Sequence, residues 1–121
     1  MITKRYDLED RLVKFACLCL DVCDLLPATK AGNNLEYQLA KSGTAPALLY
    51  GEAQAAESRS DFIHKRKIAL KELRESRINL RIINEKPVIL NEKINIAFIE
   101  ANELIAIFTT SISTAKKNHI S

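Results

Sequence analysis

The chain contains no tryptophan, one methionine, two histidines, and only three each of glycine, proline and cysteine. Each scarcity excludes something. So few glycines and prolines leave little material for tight turns, which argues against a strand-and-turn fold or a low-complexity linker. Cys17, Cys19 and Cys23 lie within seven residues of one another. An odd number of thiols on one element argues against a disulfide framework and fits a reducing compartment. No glutamate has a histidine three residues later, so the Glu-x-x-His pattern of di-iron bundles is missing. His64 sits among lysines, and His119 falls in a tail expected to fray. Cys19 and Cys23 share a helix face but have no second Cys or His pair with which to complete a four-ligand zinc site. They read as small buried hydrophobes. There is no glycine-rich phosphate loop and no nucleophile elbow. Neither a catalytic site, a metal site nor a cofactor is expected.

Long apolar runs are also missing. No stretch of about 18 uninterrupted apolar residues occurs, so no membrane span is expected. The opening Met1-Ile2-Thr3-Lys4-Arg5-Tyr6-Asp7 carries charge where an export signal would be apolar. The expected location is the cytoplasm.

What is present is a helical pattern. Hydrophobic residues make up 47% of the 121 residues, enough for a core, and charged residues 27%. The length suits one domain over 1–121. Leu8, Leu12, Phe15, Cys19 and Val22 recur in steps of three and four, which predicts a helix over about 7–26. Val13, Ala16, Leu20 and Cys23 widen its stripe, implying burial on more than one side. Pro27 favours a stop. A second helix is predicted over about 31–56, with Leu35, Leu39, Leu48 and Leu49 as apolar positions. Gly43, Ala45, Ala47, Gly51, Ala53, Ala55 and Ala56 let a neighbouring axis come close. Pro46 lies inside it and removes a backbone donor. This predicts a kink near Ser42–Pro46; two shorter helices are the alternative.

Ser58-Arg59-Ser60-Asp61 resembles a capping box and opens a third helix over about 59–84. Phe62, Ala69, Leu73, Leu80 and Ile83 mark its inner face, and Pro87 lies beyond its end. A fourth helix is predicted over about 90–116, with Ala97, Ala101, Leu104, Phe108 and Ala115 on one face. Lys116 and Lys117 suit its C-terminal dipole. The tail from Asn118 to Ser121 is expected to fray. The β-branched content of this segment could suggest strand, but its length without glycine or proline decides for helix. Four long helices with short connections predict an all-α, antiparallel, up-down-up-down four-helix bundle. Surplus apolar residues on the first and fourth helices imply self-association or a thick core.

Charge is unevenly spread. The net charge is +3. Residues 58–86 hold nine basic and four acidic residues, +5 in all, while every other segment is neutral or −1. Lys67, Lys71, Arg74 and Arg81 follow helical spacing along one face, with Lys65 and Arg77 close by. Such a stripe can track phosphates. It can equally be a solvated face with intrahelical pairs, such as Lys71 with Glu75. No aromatics interleave with it, so base stacking has no support. Glu52 is expected to pair with a basic residue of the third helix or of a neighbouring subunit.

In the middle of the chain a motif emerges. Gln38-Leu39-Ala40-Lys41-Ser42-Gly43-Thr44-Ala45-Pro46-Ala47, Tyr50-Gly51-Glu52-Ala53 and Ala56-Glu57-Ser58-Arg59-Ser60-Asp61-Phe62-Ile63-His64-Lys65 resemble the family of 23S ribosomal RNA intervening-sequence proteins. Ile68 to Ser76 continues the likeness, and Tyr6-Asp7-Leu8 and Phe15 fit its start. The resemblance implies a short four-helix bundle that assembles as a ring-like homopentamer. Some members are encoded within intervening sequences of 23S ribosomal RNA genes, and a similar bundle accompanies the reverse transcriptase of diversity-generating retroelements. No enzymatic activity is established for the family, and nucleic-acid binding is the usual proposal. Tyr50, Glu52, Glu57, Asp61, Lys65 and Lys71 match family positions of unknown role. Members usually carry asparagine just before the tyrosine; here it is Leu49, so any polar contact made there is lost.

Two functions follow as expectations. One is a non-enzymatic oligomeric module binding RNA or DNA through Lys65, Lys67, Lys71, Arg74, Arg77 and Arg81. The other is a protein-interaction scaffold or accessory subunit for an element-encoded partner such as a reverse transcriptase.

Overall fold

A computed structural model describes the backbone of residues 4–86 and 90–120, and the side chains of residues 8–86 and 90–117. It contains four helices: α1 (Lys4–Leu25), α2 (Lys30–Gln54), α3 (Arg59–Glu85) and α4 (Glu92–Ile120). No strand occurs among the described residues. The fold is an all-α four-helix bundle.

The helix starts are set by side-chain caps. Thr29 accepts a hydrogen bond from the Gly32 N–H at 3.0 Å, and Ser58 from the Asp61 N–H at 3.1 Å. Asn91 accepts from the Lys93 N–H at 2.9 Å. Each cap satisfies a donor that the first turn leaves orphaned. α4 therefore begins two residues after the expected Leu90. At its other end it runs to Ile120, four residues past the expected stop at Lys116, because neither glycine nor proline interrupts it. The side chains of the tail expected to fray, 118–121, lie outside the described residues, as does Pro87. α2 is continuous through Pro46, which removes the two-helix alternative.

Contacts along each helix pair run in opposite residue order. Arg11 meets Glu100 while Asp21 meets Lys93. Lys65 meets Glu52 while Asn79 meets Ser42. Arg66 meets Ser111 while Arg77 meets Asn102. Residue order thus runs in opposite directions across the α1–α4, α2–α3 and α3–α4 contacts, and α4 packs back against α1.

The core follows the stripes. Leu12, Phe15, Cys19 and Val22 of α1, Leu39 and Tyr50 of α2, Ala69, Leu73, Leu80 and Ile83 of α3, and Ala97, Ala101, Leu104 and Phe108 of α4 form one buried cluster. Gly43 lets α1 and α2 approach closely beside Cys19. A small polar cluster is buried in the α2–α3 seam: the Asn79 amide donates to the Ser42 hydroxyl at 3.3 Å, and the Ser76 hydroxyl lies 3.0 Å from it.

Two expectations need correction. Val13 and Leu20 are not inside but 48% and 42% exposed in the single chain. α1 has neighbours on only two sides, so the bundle covers one stripe of it. α4, in turn, does contain a stretch long and apolar enough to cross a bilayer by length and composition. That is weak evidence for a membrane, because the core helix of a bundle passes the same test. Here Ile94, Ala97, Ala101, Leu104, Phe108, Ile112 and Ala115 of α4 are buried in the protein.

Candidate nucleic-acid interface

The basic residues of α3 do not act as one stripe. Lys65 turns toward α2, where its ammonium donates to Glu52 Oε1 at 2.8 Å. That contact holds the Lys65 ammonium above its usual pKa. Glu52 is thereby accounted for as a tie between α2 and α3, the structural role expected for it. Arg77 turns toward α4 and donates to the Asn102 amide oxygen at 3.4 Å. Arg81 pairs with Glu85 at 2.7 Å, one turn along its own helix.

Lys67, Lys71 and Arg74 remain, spaced four and three residues apart on the exposed face of α3. Lys71 and Arg74 make no hydrogen bond or salt bridge among the described residues. The expected Lys71–Glu75 pair does not form. The three basic residues edge a shallow groove of about 570 Å³ shared with Leu70, the acidic Glu75, Ile78, Asn79, Ile82 and, from α2, Gln38. Its floor is apolar toward the C-terminal half of α3, where Ile78 and Ile82 are exposed.

α4 adds a cation that sequence reasoning assigned only to the helix dipole. Because α3 and α4 are antiparallel, Lys116 comes beside Lys67, and this contact holds the Lys67 ammonium below its usual pKa. Lys116 thus adds a further positive charge at this end of the α3 face. The pairing was visible in principle: antiparallel helices of this length put the last turns of α4 opposite the start of α3.

The second feature sequence reasoning missed is Arg66. Its spacing from Ala69, Leu73, Ser76 and Leu80 places it on the inner face, where an arginine is seldom found. It is only 8% exposed. Its guanidinium carbon lies 4.7 Å from the Phe62 ring centre, 4.9 Å from Tyr50 and 5.6 Å from Phe108. Nη1 donates to Ser111 Oγ at 2.7 Å and Nη2 to Gln54 Oε1 at 3.5 Å, while Nε is buried without a partner. Burial pulls its pKa down. Stacking on three rings is the stabilisation available to a cation that lacks a carboxylate. Tyr50 is therefore a core residue and one wall of this cage.

Of the other matched positions, Glu57 is exposed in the α2–α3 connection and Asp61 is half-buried in the first turn of α3. Leu49 is half-buried and packs on the core. Glu72, between Lys71 and Leu73, has a buried oxygen without a partner. Burial and the neighbouring Glu75 raise its pKa. His64 is exposed. Among the described residues no group of three or more His, Cys, Asp or Glu side chains could hold a metal ion.

Neither a model of a known protein family nor a curated protein matches the chain. A solved structure does. The crystal structure of a protein of unknown function from the S23 ribosomal protein family of Bacteroides thetaiotaomicron is 26% identical in sequence, with a TM-score of 0.82. The match covers 92% of this chain and 99% of that one. It supports, at the level of the family, the resemblance carried by the α2–α3 motif. It indicates no catalytic family.

Proposed function

We infer that this chain is an intervening-sequence family protein acting without catalysis, as a self-associating bundle that binds RNA or DNA in the cytoplasm. The observation that carries the nucleic-acid reading is the exposed trio Lys67, Lys71 and Arg74, with Lys116 of α4 beside Lys67. Lys71 and Arg74, without a hydrogen bond or salt bridge among the described residues, can neutralise phosphates without first giving up an ion pair. No aromatic side chain lines the groove, so the contact is one of backbone charge rather than base stacking.

Self-association, with the homopentamer as the expected state, draws on the apolar residues left outside. Val13 and Leu20 of α1, Tyr37 and Leu48 of α2, and Ile96 and Ile99 of α4 are exposed in the single chain. A ring would repeat the α3 patch around its axis and raise affinity through multivalency. Light scattering gives the mass directly; a particle of 13.6 kDa at micromolar concentration rules assembly out.

The binding test is a salt titration. For single-stranded RNA, each neutralised phosphate contributes a slope of about −0.7 in log affinity against log salt. Replacing Lys67, Lys71 and Arg74 with glutamate removes binding and leaves the helical signal and melting temperature in place. If the wild-type chain binds neither RNA nor duplex DNA at about 50 mM salt, where electrostatic binding is strong, the reading fails. The second reading is a scaffold for an element-encoded protein, favoured by the same exposed apolar side chains. A partner that copurifies after nuclease treatment supports it, and loss of every partner on nuclease treatment removes it.

A further inference from the structure

The end of the bundle holds a second, open cleft of about 510 Å³ between the first turn of α3 and the last turns of α4. Arg59, Phe62, Ser111, Thr114 and Ala115 line it. We propose that this cavity binds a phosphate monoester. The proposal goes beyond the α3 basic face and stands independently of it.

Three residues with side-chain donors, Arg59, Ser111 and Thr114, line the cavity. Arg59 is exposed and has no hydrogen bond or salt bridge among the described residues. Ser111 Oγ accepts from Arg66 at 2.7 Å. Its own proton is therefore left over, and no acceptor takes it among the described residues. Thr114, one turn further along α4, brings a second hydroxyl to the same cavity. At the start of α3 the Ser58 cap occupies the N–H groups of Asp61 and Phe62. The Arg59 and Ser60 N–H groups have no partner among the described residues, at the positive end of the helix dipole. No carboxylate lines the cavity; Glu57 and Asp61, the acids of this end, are not among its walls.

Behind the wall formed by Phe62 and Ser111 lies Arg66, a buried guanidinium with no carboxylate partner and one unpaired N–H. An unneutralised buried cation is what a bound anion would compensate. A phosphate monoester brings nearly two negative charges and three acceptor oxygens, one each for Arg59, Ser111 and Thr114. The volume falls within the usual range for a small-ligand site of roughly 300–1,000 Å³, enough for a phosphate carried by a nucleotide or standing at the end of a chain. Two sources offer the same chemistry: a free phosphorylated small molecule, and the 5′-phosphate terminus of an RNA strand.

The test uses the full chain labelled for amide NMR, titrated in low salt with inorganic phosphate, adenosine monophosphate, and a short RNA bearing either a 5′-phosphate or a 5′-hydroxyl. The expected result is saturable shifts at amides 59–62 and 111–115. Arg59→Ala and Thr114→Val should each weaken binding about tenfold, the size of one lost charge-assisted hydrogen bond, with the melting temperature unchanged. Glutamates at Lys67, Lys71 and Arg74 should leave it intact, which separates this cavity from the α3 face. Preference for the 5′-phosphorylated RNA over its hydroxyl counterpart identifies a strand end as the source. Equal binding of the two RNAs, with saturation by adenosine monophosphate, identifies a free small molecule. No saturable shift at those amides by about 20 mM phosphate, a concentration that would fill even a millimolar site, overturns the proposal. So does unchanged binding in both variants.

Discussion

Gly43 and Cys19 meet so closely that a Cβ on the glycine would lie 2.5 Å from the Cys19 Cβ and 2.7 Å from its sulfur. The α1–α2 spacing is therefore set by a missing side chain. Gly43→Ala gains about 1 kcal/mol of helix propensity but forces the two axes apart, and overpacking of this kind costs about 1–3 kcal/mol. The expected outcome is a net loss of stability in urea unfolding. Adding Cys19→Ala recovers only part of it, since that change removes the sulfur and keeps the Cβ. A Gly43→Ala protein as stable as wild type would mean that α1 sits farther away than described.

The Arg66 cage separates packing from charge. Arg66→Ala empties a site bounded by three rings and should cost about 2–4 kcal/mol, the range for truncating a large buried side chain. Arg66→Met keeps most of the volume and removes the need to desolvate a cation, so it should fall within about 1 kcal/mol of wild type. If methionine proves as damaging as alanine, the charge itself is what the site requires. Denaturant unfolding of the two variants decides.

The thiols divide by burial. Cys17 is exposed, while Cys19 and Cys23 are buried. Desolvation pushes both buried thiols up, Cys23 from 9.0 to about 11. At pH 8 a thiol reagent should therefore modify Cys17 rapidly and the other two only on unfolding. The sign of the pH effect follows. A folded-state pKa above the unfolded one gives stability that is complete below pH 9 and drains away as pH rises toward about 11. Melting temperature should hold up to pH 9 and fall above it. Cys23→Ala should flatten that fall.

Glu72 carries its penalty at neutral pH. Burial and the neighbouring Glu75 raise its pKa, so the protonated form suits the fold better. The associated stability is present below the ordinary glutamate range and lost as pH rises through the raised value. Glu72→Gln should raise the melting temperature at pH 7, and the gain should shrink as pH is lowered toward 4. A gain that is independent of pH would point to a cause other than ionisation.

Binding contributions along α3 should be graded. Lys65 is engaged with Glu52 and Arg77 with Asn102, so alanine at either position should change nucleic-acid affinity and its salt slope less than Lys71→Ala. Lys116→Ala, on a different helix, should weaken binding about as much as Lys67→Ala. Filter binding at several salt concentrations measures both comparisons.

Much of this architecture was readable from periodicity. The steps of three and four that place Leu12, Phe15, Cys19 and Val22 on one face are the steps that bury them, and Ser58 caps α3 where its hydroxyl and spacing said it would. The site was less legible, for reasons that concern individual residues. Arg66 stands in phase with Ala69 and Leu73, but a guanidinium is seldom fully buried; only the arrival of Tyr50 from α2 and Phe108 from α4 makes its burial tolerable. Lys65, Lys67 and Lys71 look equivalent along the chain. Their difference lies in what the neighbouring helices present to them, Glu52 to one and Lys116 to another. Tertiary pairing of that kind has no signal within the α3 segment itself.

The edge where α1 meets α4 has the least extensive helix–helix packing in the bundle. Arg11 grips Glu100 through two hydrogen bonds there, and Lys93 reaches Asp21. Charged clasps weaken with ionic strength while oily seams do not. Concentrated salt should thus act as a selective key, loosening this one side and letting the first and last helices part like the covers of a book while its spine stays bound. Amide exchange along residues 8–25 would then accelerate with salt well before global unfolding.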